Sequence, residues 1–351
     1  MPPMNDRRRT LCFIADARSP HTLKWVEGCR SLDWRIVVIS HWPGQIPGVE
    51  VIVHPLPLLG FWRQAWPVRR IIRSLKPDIV HAHQFGAHAL YAWFSGCKRV
   101  VVSAWGSDIL LRPKQSWLYR FLVRFLIPKM SSITAVSNQV EKELMDLGAK
   151  PEQILKFPMG IPLQEYKKLA EAPLDRKWII CSPRLHEPLY NIQIILEAFA
   201  RIVPDFPALE LWLLGDGSLT HDLQQYAAGH QTPRVTFWGR LSPAEARDKM
   251  ARSMVMASIP SSDGTPVSML EGMAAGCLMV VSDLPAYHDW IDDGENGLIV
   301  AATVEDLADA LRRSIEDREL RERAARINRE LIRERAIWEI NFEKMLEYYR
   351  S

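Results

Sequence analysis

SMVMASIPSSDGTPVSMLEGMAAGCLMVVS, residues 253–282, holds two apolar, β-branched runs of six or seven residues on either side of one helix-like stretch. A strand, a helix and a second strand in that order make a parallel βαβ unit. The same alternation extends in both directions. Downstream comes NGLIV (296–300), then a helix expected from about Val304 to Arg318; upstream lie KWIICS (177–182), LELWLLG (209–215) and RVTFWG (234–239). The first half repeats the pattern with LCFIADA (11–17), RIVVIS (35–40), VEVIVH (49–54), DIVHAH (78–83), RVVVSAW (99–105) and SSITAVS (131–137). The fold class that follows is α/β, with two Rossmann-like, doubly wound parallel sheets. Ligands of such sheets bind beyond the carboxyl ends of the strands, so a cleft between the two domains is expected. The expected divisions are 1–160, 174–330 and a C-terminal helix over 331–351, with MGIPLQEYKKLAEAP (159–173) as linker.

A chain of 351 residues, 48% hydrophobic and 24% charged, is long enough for two sizeable cores. No run approaches the 18 or so uncharged apolar residues a spanning helix requires. The basic start MPPMNDRRRT is followed only by LCFIADA, which reads as a first strand and not as a signal peptide. Cys12, Cys29, Cys97, Cys181 and Cys277 are scattered and lack C-x-x-C spacing, as expected of reduced thiols in a cytoplasmic protein without a zinc site. Charge is unevenly shared: residues 1–160 carry 22 Lys and Arg against 11 Asp and Glu, while residues 161–351 carry 22 against 30. The basic half shows no zinc-finger spacing, no aromatic RNP-like strand and no heptads after a basic region, so no nucleic-acid partner is expected.

Within 261–276, Thr265 is suited to cap a helix and Pro266 to occupy its first position. The amides of Gly264 to Ser268, Val267 among them, would then face an anion at the positive end of the helix dipole. Asp263 precedes that end and Glu271 follows it by about a turn and a half. Two carboxylates around an anion site suit a nucleotide-sugar, with hydroxyls on each side of a diphosphate. An ordinary amphipathic helix with acidic residues near its start fits the spacing equally well.

This stretch resembles the E-x7-E region of the retaining GT-B glycosyltransferases of group 1, family 4, with Asp263 in place of the first glutamate and Glu271 as the second. The resemblance implies that Glu271 holds the ribose hydroxyls and Asp263 contacts the donor sugar. It also implies that Arg184, in CSPRLHEPLYN, binds the diphosphate, a task suited to a permanently charged guanidinium fork. Where the family usually adds a lysine, this chain has Tyr190. The glycine turn at Gly215 and Gly217 and the strand end Phe237-Trp238-Gly239-Arg240 would lie near the nucleotide; Gly215 and Gly217 also fit a plain strand-to-helix turn.

In the first domain, ARSPHTLKW offers Ser19 as a cap, Pro20 as the first helical residue, and His21 near the helix start, where many family members have a glycine pair. His81 and His83 fall on one side of a strand end. VVSAWGSDILL resembles the family's HGSD-like loop, with Trp105 where histidine is common and Asp108 at the acidic position. Asp108 reads as a positioner or weak base, or as a helix cap. His21, His81, His83 and Trp105 are the expected acceptor-side residues, and Asp108, His21 and Asp263 the expected catalytic ones.

The function this implies is retaining transfer of a hexose-like sugar from a nucleoside-diphosphate donor to a lipid-linked or envelope-polysaccharide acceptor, with no metal and no cofactor. An epimerase or hydrolase of the same fold, or an inactive nucleotide-sugar-binding subunit, remains open. FWRQAWPVRRIIRSLK (61–76), with Trp62, Trp66, Arg63, Arg69, Arg70 and Arg73, and RPKQSWLYRFLVRFLIPK (112–129), with Trp117, Phe121, Phe125, Lys114, Arg120, Arg124 and Lys129, read as basic amphipathic helices. They suit peripheral docking on an anionic membrane, on the inner face of the cell membrane.

Overall fold

The computed structural model describes residues 8–54, 61–173 and 177–351, with the side chains of Phe61 and Trp62 outside that description. The chain divides into two compact units. One joins the residues up to Phe157 to Phe342–Ser351, and the other is Pro158–Asn341. The boundary expected at 174 falls on a residue outside the description.

Among the described residues the first unit has strands β1 (Thr10–Ile14), β2 (Arg35–Ser40), β3 (Glu50–Val53), β4 (Ile79–His83), β5 (Val100–Ala104), β6 (Ser132–Ala135) and β7 (Ile154–Lys156). They form one parallel sheet in the order β3-β2-β1-β4-β5-β6-β7. The strand β7 was not expected: three residues with a polar end carry too little pattern to be read as a strand. β1, β4 and β5 are buried at every residue, His81, His83 and Ser103 included, because helices cover both faces of a parallel sheet.

The second unit has β8 (Lys177–Ser182), β9 (Glu210–Leu213), β10 (Val235–Phe237), β11 (Ser253–Ser258), β12 (Leu278–Ser282) and β13 (Gly297–Val300), all parallel, in the order β10-β9-β8-β11-β12-β13. One side of this sheet packs on the helices Ile192–Ile202 and Val304–Glu316, burying Leu196, Phe199, Leu307 and Leu311. The other side buries Met269, Leu270 and Met273 of the helix Val267–Ala275 against Met256 and Met279.

Two expectations about connections need correction. The stretch 159–173 is no bare linker: it carries the helix Leu163–Ala170, and Tyr166 donates its hydroxyl to the Arg329 carbonyl at 3.1 Å. The C-terminal run is two helices, Arg318–Arg335 and Trp338–Arg350, because Ala336 and Ile337 leave the helix to pair with Ile161. Phe342 then meets the Trp25 ring edge-on at 5.0 Å, and Arg99 donates to the Tyr348 carbonyl at 2.6 Å, so the last ten residues pack inside the first unit.

Candidate active site

In the second unit, chain segments leaving β8, β9, β11 and β12 converge. Arg184 lies two residues past β8 and is only 8% exposed. Its Nη2 donates to Asp263 Oδ2 at 2.5 Å, its Nη1 lies 3.5 Å from Ser268 Oγ, and its guanidinium carbon stacks 4.4 Å over the Tyr190 ring. The Nε is buried without a hydrogen-bond partner. Burial alone would lower the basicity of this group, but the Asp263 charge prevails and its pKa is raised. The Arg184 side chain is thus no exposed surface ion pair but a buried, charged group held by one aspartate and one aromatic ring.

Gly215 and Gly217 fix that loop. A Cβ on Gly215 would stand 2.5 Å from the Arg184 carbonyl oxygen, and one on Gly217 would collide with the His186 carbonyl. The need for glycine here is therefore close packing against the arginine-bearing segment. Gly239 has φ of +66°, a left-handed turn just past β10.

The helix after β11 starts one residue later than the sequence suggests. Pro266 is extended (φ −71°, ψ 128°) and occupies the cap position, Val267 is the first helical residue, and Thr265 lies before it, largely buried. The Gly264 amide is already taken up by Asp263 Oδ1 at 2.8 Å, so the expected set of amides shrinks to those of the first turn, from Val267 onward. Asp263 shares its Oδ2 between Arg184 and the Tyr287 hydroxyl, the latter at 3.2 Å. Glu271, in the second turn of the helix, accepts from Arg247 Nη1 at 3.1 Å, and Arg247 Nε lies 3.1 Å from Glu165. Both carboxylates read from the sequence thus have an arginine partner. Arg247 and Tyr287 were missed: one sits in the surface-like helix Pro243–Arg252 and the other in the short turn Pro285–His288, and neither position carries a motif.

In the first unit, Ser19 and Pro20 take the expected cap and first positions, although the Ser19 hydroxyl makes no capping bond. His21 keeps an exposed edge and lies 5.1 Å from the Trp105 ring; local crowding, with the Lys24 charge, lowers its pKa. Trp105 packs 4.7 Å from His83. His83 is buried, with Nδ1 3.3 Å from Thr22 Oγ1.

His81 does not belong with this group. It is fully buried, with Nδ1 on the Tyr349 hydroxyl and Nε2 2.8 Å from Ser103 Oγ, so both ring nitrogens are committed to the core. The Asp108 expectation also changes. Its carboxylate accepts from the amides of Phe85 (2.9 Å), Trp105 (3.1 Å) and Gly106 (3.1 Å), while Gly106 is the helix cap. Burial raises its pKa against the opposing effect of those amides. Asp108 clamps two loops together and has no free oxygen facing solvent at 1% exposure. Among the described residues no three His, Cys, Asp or Glu side chains gather as a metal site.

Comparison with known proteins agrees with this architecture. The family described as "Glycosyl transferases group 1" matches residues 176–317, and "Glycosyl transferase 4-like" matches residues 10–137. The phosphatidyl-myo-inositol mannosyltransferase of Mycobacterium tuberculosis is 24% identical over 284 residues, covering 78% of this chain and 74% of that protein. The alpha-monoglucosyldiacylglycerol synthase of Streptococcus pneumoniae is 24% identical over 253 residues, covering 68% of this chain and 52% of that protein. Among solved structures, Anabaena HepE in complex with UDP-glucose superimposes with a TM-score of 0.79 at 17% identity, over 97% of this chain and 99% of that one. With matched segments spanning both units and the same fold across nearly its whole length, this chain belongs to the group 1, GT-B fold glycosyltransferases.

Proposed function

We propose that the chain transfers a sugar from a nucleoside-diphosphate donor, held by the second unit, to a lipid-linked acceptor with retention of configuration. The observation that carries this reading is the buried Arg184 guanidinium, with an unpaired Nε, beside the start of the helix Val267–Ala275. A charged fork and helix-start amides form an anion site that suits a diphosphate. Glu271 would hold the ribose and Asp263 the donor sugar; Tyr190, Gly215, Gly239, Gly264, Thr265, Pro266 and Val267 would shape the site.

In the step itself the bond from the anomeric carbon to the diphosphate oxygen breaks and its electron pair leaves with the nucleoside diphosphate. The acceptor hydroxyl oxygen bonds the same carbon on the same face, and its proton passes to the departing diphosphate. Arg184 and the amides act by stabilising the charge that grows on that leaving group, without a metal ion. His21, His83 and Trp105 are the proposed acceptor-side surface, and Asp108 supports them as a loop clamp.

A lipid acceptor is favoured by one face of the first unit. On the helix Trp117–Leu126, Trp117, Leu118, Phe121 and Phe125 are exposed along one stripe, with Arg120 and Arg124 exposed beside it. Phe125 meets Trp93 at 5.1 Å, and Phe94 in turn meets Trp66 of the helix Phe61–Leu75 at 5.1 Å, joining the two basic helices into one aromatic and cationic surface. The names of the mannosyltransferase and of the diacylglycerol-glucoside synthase above point the same way. No helix among the described residues is long and apolar enough to cross a membrane.

The test is to incubate the protein with radiolabelled UDP-glucose, UDP-galactose, UDP-N-acetylglucosamine and GDP-mannose and a bacterial envelope lipid extract. Label in the lipid phase, with the donor's anomeric configuration by NMR, is expected. An inverted product overturns the retaining mechanism; free sugar or an epimerised donor identifies a hydrolase or epimerase; binding without turnover identifies a binding subunit.

A further inference from the structure

Tyr287 is fully buried in the turn Pro285–His288, and its hydroxyl does not end in apolar surroundings. It lies 3.2 Å from Ser258 Oγ at the end of β11 and donates to Asp263 Oδ2 at 3.2 Å. That oxygen is the one Arg184 Nη2 contacts, while Oδ1 accepts from the Gly264 amide. An arginine and an aspartate this close would ordinarily close into a two-pronged pair, with both carboxylate oxygens on one guanidinium edge. Here a single prong forms and Nε is left unpaired. Two donors outside the pair, the Tyr287 hydroxyl and the Gly264 amide, hold the carboxylate turned away from that closed arrangement.

We infer that Tyr287 is a positioning residue that keeps the Arg184–Asp263 fork open, so that Arg184 retains free N–H groups for a diphosphate and Asp263 Oδ1 retains a lone pair for a sugar hydroxyl. The inference rests on the reading of this pocket as the donor site. Burial and the Asp263 charge raise the Tyr287 pKa, so the hydroxyl stays a donor throughout the neutral range. Without it the Gly264 amide on Oδ1 is the one remaining donor of the two, and the carboxylate, less restrained, can turn to take both prongs of Arg184. Neutralising the arginine in that way removes the charge that the diphosphate requires. The ring itself fills the core among Met256, Met279 and Trp290, and phenylalanine preserves that filling.

A double-substitution cycle read by calorimetry tests this, with UDP, GDP and ADP as probes. Tyr287→Phe is expected to weaken the nucleoside diphosphate that the unaltered chain binds by about tenfold, the effect of losing a hydrogen bond to a charged group. In an Asp263→Ala chain, which has no carboxylate to close on Arg184, the same Tyr287→Phe change is expected to shift affinity less than about twofold. Equal losses in both backgrounds, or no loss in the otherwise unaltered chain, overturn the inference. A Tyr287→Phe chain that does not fold by circular dichroism also overturns it, since the hydroxyl would then hold the core and not the fork. Failure of the unaltered chain to bind any of the three probes removes the donor-site reading, and the inference with it.

Discussion

Arg184 stacks over Tyr190 at 4.4 Å, and this contact occupies the place where the family resemblance leads one to expect a second cation. An aromatic face holds a guanidinium plane without competing for its N–H groups, at a strength of about 0.5–2 kcal/mol depending on solvent access. Arg184→Ala should lower kcat/KM by about a hundredfold or more, as expected when a donor to developing charge is removed. Tyr190→Phe keeps the ring and should change it less than about twofold, whereas Tyr190→Leu should cost about threefold to tenfold. Steady-state kinetics with and without EDTA check this set, with activity expected to survive the chelator.

Glu271→Ala should weaken donor binding by about tenfold or more, through loss of hydrogen bonds to two ribose hydroxyls. Arg247 keeps its Glu165 neighbour in this variant, so the fold should persist. Unchanged affinity by calorimetry in a folded Glu271→Ala chain would refute a ribose contact.

Asp108→Asn separates a loop clamp from a base. An amide oxygen cannot serve three backbone N–H groups as a carboxylate does, and its NH2 would face donors. A stability loss of about 1–3 kcal/mol in urea unfolding is expected. Unaltered stability with a collapsed kcat would instead mark Asp108 as chemically active.

Acid should weaken the first unit. Burial lowers His81 from 6.5 to about 3, and burial together with neighbouring histidines sets His83 well below its ordinary value. Both folded values lie below the unfolded one. Above pH 6.5 neither state binds these protons; below it the unfolded chain takes them up and the folded chain does not, so stability falls as pH falls. At pH 5 the His81 shift alone amounts to a loss of about 2 kcal/mol, and His83 acts in the same direction. Urea unfolding at pH 7 and pH 5 should show the decline, and His81→Gln should make it shallower. A stability flat from pH 7 to pH 5 would contradict neutral, buried rings.

The exposed stripe of Trp117, Phe121 and Phe125 should bind anionic vesicles at low salt and release them at high salt as screening shortens. Arg120→Glu with Arg124→Glu should bind poorly, since each cation near such a surface contributes about 1 kcal/mol. Equal sedimentation of both proteins with phosphatidylglycerol vesicles would favour a soluble acceptor.

Most of the twelve expected strands were legible because buried parallel strands are continuous apolar runs, the edge strands β3 and β10, with no buried residue, through their short β-branched runs, and Arg184, Asp263 and Glu271 because they sit at strand ends or at a helix start. What escaped depended on contacts between distant segments. Tyr287 reaches Asp263 across 24 residues, and Arg247 reaches Glu271 from a helix whose pattern looks solvent-facing. His81 looked like a site residue because a strand-end histidine has no local signature of burial; its partner Tyr349 lies 268 residues away. The helix start was misplaced by one residue because proline suits both the cap and the first helical position.

Asn341 donates to the Pro158 carbonyl at 3.3 Å, and Ile161 pairs with Ile337 just inside that point. The second unit therefore begins and ends at one place and is, in topological terms, an insertion into the first. The closing segment Phe342–Ser351 is not a dispensable tail but the last piece of a discontinuous core, bringing Phe342 to Trp25 and Tyr349 to His81. During synthesis the first unit has to wait, its core unfinished, until the whole inserted unit has left the ribosome.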